Sequence, residues 1–95
     1  MASETELRRV VLEILALGLL RIRRLAQAGD VSGCGVEAYH LHNLPHLAET
    51  CSVDELDYYY TVEREEFLSA KPKDAEQFEE PWRRFEALLR ARKGT

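Results

Sequence analysis

Residues 10–20 read VVLEILALGLL, and the way this run is buried decides the fold. Eleven residues are too few to cross a bilayer, and Glu13 interrupts them, so no membrane span or membrane partner is expected. Extended in both directions, the run becomes helical. Leu7, Val11, Ile14, Gly18, Ile22 and Leu25 recur at spacings of three and four, the period of one helix face. SETE at 3–6 is a capping box in which Ser3 accepts from a first-turn N–H and Glu6 reaches back. Gly29–Asp30 ends the helix, with Gly29 suited to a left-handed C-terminal position. Between Ile14 and Leu20 the helix is apolar nearly all round. It is therefore either the central helix of the domain or one that also contacts a partner.

Beyond Asp30 three more helices are expected and almost no strand signal, YYYTV at 58–62 being flanked by helical patterning. GDVSGCG leads into a histidine-bearing helix over roughly 34–50. SVDE at 52–55 opens a third, with Val53, Leu56, Tyr60 and Phe67 inward and Tyr59 at the margin; Lys71–Pro72 ends it. DAEQ at 74–77 caps a fourth carrying Phe78, Trp82, Phe85 and Leu88 or Leu89. Pro45 and Pro81 each interrupt a helical pattern and predict a kink or a break there, since an interior proline costs about 3 kcal/mol. The fold expected is a single all-α domain over residues 1–95, a four-helix up-down bundle with kinked second and fourth helices.

Composition narrows the function. Hydrophobic residues at 45% and charged residues at 32% describe a folded globular chain of 95 residues, too small for a large enclosed cofactor site. A formal net charge of −4 argues against nucleic acid as partner. Charge is uneven, with ten acids against three bases between Asp54 and Glu80, and Arg83, Arg84, Arg90, Arg92 and Lys93 facing only Glu86 after Trp82. Arg21, Arg23, Arg24, Arg83 and Arg84 are expected to pair with the acidic third helix. The N-terminus lacks the basic start of an export signal, so a cytoplasmic protein is expected. Cys34 and Cys51, some 25 Å apart if the chain between them is helical, are expected to be free thiols.

All three histidines fall in AYHLHNLPHLAET at 38–50. His42 and His46 are four apart, with Glu49 three further on, a spacing that can present zinc ligands; Pro45 between them threatens the register. Zinc is the one metal this pattern suggests, and no cofactor is otherwise expected. His40 points some 160° from His42 at about 100° per residue, into the sector of Val36, Leu44, Leu47 and Cys51, with Glu37 at its edge. A buried imidazole beside a carboxylate fixes a tautomer, for structure or for catalysis. Glu63 and Tyr60 lie on the inward stripe of the third helix, next to Arg64. A carboxylate there must be paired if buried, by Arg64, by His40 or by an arginine of the first helix. His40, Glu37, Glu63, Tyr60 and Arg64 are therefore the candidate polar pocket. No phosphate-binding loop is present, and neither Ser32, Ser69 nor Cys34 has a base implied beside it.

Three functions are compatible with these residues. The first is a non-catalytic interaction module of adaptor or toxin-neutralising type, binding another protein or a second copy of itself. Another is a metal- or small-ligand-binding bundle using the histidine segment. The last is a small enzyme with His40 as general base. The absence of a recognisable catalytic set favours the first.

Overall fold

The computed structural model describes the backbone of residues 4–69 and 75–93 and the side chains of residues 4–63 and 78–93. Those residues form an all-α fold of five helical segments: α1 (Glu4–Gln27), α2 (Val31–Leu41), α3 (Leu44–Thr50), α4 (Val53–Ser69) and α5 (Ala75–Lys93). The expected Ser3 cap, the inward Phe67, the Lys71–Pro72 stop and the DAEQ cap lie outside the described residues.

α1 is the central helix, packing on α2, α3 and α5, while α4 packs on α5. Its inward face is Leu7, Val10, Val11, Ile14, Gly18 and Arg21. Facing it are Leu41, Leu44, Leu47, Ala48, Leu56 and Tyr59, closed off by Phe78, Trp82, Phe85 and Leu89 of α5. Trp82 lies parallel to the Tyr59 ring at 5.9 Å between centroids and meets Phe85 at 5.5 Å, distances at which aromatic pairs add to simple burial. Gly18 is where α2 comes closest: a Cβ there would lie 2.4 Å from Leu41 Cδ1.

Helix boundaries follow from capping. Gly29 adopts φ 76°, and the N–H groups of Gly29 and Asp30 donate to the carbonyls of Ala26 and Leu25, closing the end of α1. Asp30 then caps α2 by accepting from the Gly33 N–H at 2.8 Å. The helix therefore begins at Val31, three residues before the expected start, and takes in most of GDVSGCG.

The single helix expected over 34–50 is two. α2 ends at Leu41 and α3 starts at Leu44, with Pro45 in the first turn, where its missing N–H costs no hydrogen bond. α3 ends on Cys51 in the left-handed region (φ 50°), its N–H donating to the Leu47 carbonyl. Arg8 of α1 donates to the Ala48 carbonyl at 2.8 Å and the Glu49 carbonyl at 3.3 Å, placing a cation at the negative end of that helix. Ser52 accepts from the Glu55 N–H at 3.4 Å at the start of α4, as SVDE implies. Pro81, by contrast, does not break its helix, and α5 is continuous through it.

Candidate functional site

α2 carries its polarity the wrong way round for a surface helix. Glu37, His40 and Leu41 are its buried residues, whereas Val31, Val36 and Tyr39 are exposed. Val36, expected inward, is outward. The sector drawn for one helix over 34–50 does not continue unchanged across the break at residues 42–43; His40 and the α3 end, with Leu44, Leu47 and Cys51, are buried as expected, and Val36 is not.

Glu37 and His40 each meet a charged partner from another helix. Glu37, with 0% of its surface exposed, accepts from Arg21 Nε of α1 at 3.0 Å, itself 7% exposed. Glu37, one of the groups expected beside His40, is thus paired with Arg21 of α1. His40 pairs instead with Glu63 of α4 through its Nδ1. Since a carboxylate can only accept, Nδ1 carries the proton and donates. The Tyr59 hydroxyl donates to the His40 carbonyl at 2.8 Å, and burial, then the Glu63 charge, pushes its ionisation well above the ordinary tyrosine range. Tyr59 is buried and Tyr60 only partly so, the reverse of the expected order; Tyr60 packs its ring on Trp82 and Phe85. The Arg64 side chain lies outside the described residues.

The proposed zinc set is not assembled. His42, at the end of α2, donates through Nδ1 to the Tyr39 carbonyl, and His46, in α3, sits 3.4 Å from Glu55 of α4. Glu49 is exposed on the last turn of α3. Among the described residues no group of three or more His, Cys, Asp or Glu is placed to hold a metal ion.

His46 and Glu63 instead belong to a cleft of about 400 Å³ between α3 and α4, lined also by Asn43, Leu47, Asp54, Glu55, Tyr58 and Tyr59. The His40–Glu63 pair offers this cleft its carboxylate, and the imidazole is not among the lining groups. That placement does not suit His40 as a general base acting on something bound there. Asp54, Glu55 and Tyr58 are the residues sequence reasoning missed. SVDE signals only a helix start, and the cleft exists because α3 and α4 meet.

Among the described residues, Arg83 and Arg84 pair with α1 and within α5, not with α4 as expected. Arg84 makes a two-pronged bridge to Glu13 of α1, at 2.8 and 3.1 Å, and also pairs with Glu80. These hydrogen bonds, Glu80 first, raise the Arg84 pKa, and Arg84 in turn lowers that of Glu80. Arg83 pairs with Glu79 within α5. Lys93 reaches α4 at Asp57.

One further surface stands out. The face of α1 opposite its buried stripe is uncovered, with Leu12 45% and Leu19 and Leu20 each 53% exposed. At about 100° per residue these leucines and Ala16 share an arc of about 100°, and Arg9 and Arg23 continue it at either end. No described helix is long and apolar enough to cross a membrane, so this face is not part of a span. Cys34 and Cys51 are free thiols. Comparison with protein-family models, curated proteins and solved structures finds no match for the chain. What fold and site define is an all-α domain with buried interhelical ion pairs, an acidic cleft and one bare apolar helix face.

Proposed function

We propose that this protein is a non-catalytic interaction module of the adaptor or neutralising type, which docks a helix of another protein on the outer face of α1. The exposure of Leu12, Leu19 and Leu20 along one arc carries the reading, since a contiguous apolar surface left in water is costly unless something covers it. Arg9 and Arg23 are both exposed at the ends of that arc. Their charge favours an amphipathic partner helix with acidic residues about 21 Å apart flanking its apolar stripe, the span of fourteen residues at a 1.5 Å rise. In a two-fold packing of α1 on itself about Ala16, Arg9 would face Arg23, which disfavours a second copy as the occupant. The free thiols suit a reducing compartment such as the cytoplasm.

A photo-crosslinking residue placed at Ala16 in the native host tests this. The expected result is one discrete adduct, absent with the crosslinker at exposed Thr61 of α4 and lost when Leu12 and Leu19 become lysine. An adduct of twice the chain's mass would replace the foreign partner by a second copy, and no adduct specific to Ala16 overturns the proposal.

A further inference from the structure

The geometry points to the α3–α4 cleft as a binding site for a small organic cation, an alkylammonium or alkylguanidinium group. This site stands whether or not anything docks on α1. Its volume of about 400 Å³ lies within the range of small-ligand sites, ample for a single basic side chain or a short amine.

Its walls are aromatic and apolar. Tyr58 is 72% exposed and, among the described residues, makes no hydrogen bond or ring contact. Tyr59 beside it is held rigid by its hydrogen bond to the His40 carbonyl and by the Trp82 ring. Leu47 closes the α3 side. Tyrosine faces attract cations through the ring quadrupole, so a wall of this kind discriminates charge as well as shape.

The charged groups select the same sign. Asp54, Glu55 and Glu63 line the cleft together with His46, and among the described residues no lysine or arginine does. Each carboxylate has a different standing. Glu63 is held in place by His40. Glu55 meets His46 only at 3.4 Å with both groups well exposed, a contact that an entering cation can replace. Asp54 forms no ion pair among the described residues and sits in the first turn of α4. An anion would meet three carboxylates here, and a neutral apolar group would leave their charge uncompensated. A cation with a short alkyl stem fits both the carboxylates and the rings.

The full chain, labelled with ¹⁵N and titrated at low salt with n-butylguanidinium, tests the assignment, with n-butanol as the neutral control. Saturable shifts at Asn43, His46, Asp54, Glu55 and Tyr58 amides, and none with butanol, are expected. Tyr58→Leu should weaken binding roughly threefold, as loss of an exposed cation–π contact does, and the Asp54→Asn/Glu55→Gln pair should weaken it further and reduce its salt dependence, with Glu63 left in place. All three side chains are exposed, so the variants should fold, which the spectra themselves report. A parallel titration with capped Gly-Arg-Gly distinguishes sources: tighter binding of the peptide assigns a partner's arginine, and binding no tighter assigns a free cation. Equal shifts with butanol, an unchanged dissociation constant in the Asp54→Asn/Glu55→Gln protein, or no saturable shift at all would overturn the site.

Discussion

Replacing Arg21 with methionine keeps the aliphatic stem and removes the charge that faces Glu37. Glu37 has a side chain with no exposed surface, and Arg21 is only 9% exposed, so little water is available to replace the guanidinium. Removing one partner of a buried pair costs about 3–5 kcal/mol. The lower end applies, because methionine still packs against α2. A domain of this size has only about 5–14 kcal/mol of total stability, and 3 kcal/mol corresponds to a fall of roughly 12–24 °C in Tm. Urea denaturation followed by circular dichroism measures the loss. The double variant Arg21→Met/Glu37→Leu separates pairing from packing: with both charges gone it should regain most of the stability, since apolar replacement of a buried pair is often neutral or better. Arg83→Ala is the control, its bridge to Glu79 being 69% and 61% exposed, with an expected cost under about 0.5 kcal/mol. An Arg21→Met cost below about 1 kcal/mol, or a double variant as unstable as the sum of the singles, would refute a buried pair that holds α1 to α2.

Other perturbations read the remaining contacts. Gly18→Val should destabilise by about 1–3 kcal/mol in thermal melts, because the added atoms meet buried Leu41 at 2.4 Å. Tyr59 ionises in the unfolded chain near pH 10 but higher in the fold. Stability is thus full below pH 10 and falls as pH rises beyond it. Tyr59→Phe should flatten that alkaline limb while costing about 1 kcal/mol at neutral pH through the lost bond to the His40 carbonyl. Burial raises the Cys51 thiol pKa and leaves the residue 5% exposed, so iodoacetamide should label the half-buried Cys34 first and Cys51 only on unfolding, as peptide mapping would show.

The all-α class was legible from the recurrent helical spacing and the near absence of strand signal, and in α1 the apolar run offered the central position as one of two readings. The third helix was legible too, down to the Ser52 cap. Pairing at a distance was legible only in part: His40 was named among the possible partners of Glu63, and that pair forms. Nothing local to Glu37 says that an arginine sixteen residues earlier will meet it, and so Glu37 was read only as a carboxylate near His40. Val36 was placed inside because its sector was drawn for one continuous helix over 34–50, whereas the chain restarts at Leu44. The proline signals were equally ambiguous: Pro45 sits at a true restart after Asn43, while Pro81 lies in a helix that runs on. The cleft left no sequence signature, because Tyr58 and Asp54 acquire a shared purpose only where α4 meets α3.

The interaction reading rests on α1's outer face being free of structural duty. The direct measurement is the Leu12→Lys/Leu19→Lys protein, compared with the parent for both folding stability and the Ala16 crosslink. The account predicts a stability loss within about 1 kcal/mol, as for surface substitutions, together with disappearance of the adduct. A protein that unfolds, or one that keeps its adduct unchanged, would contradict it.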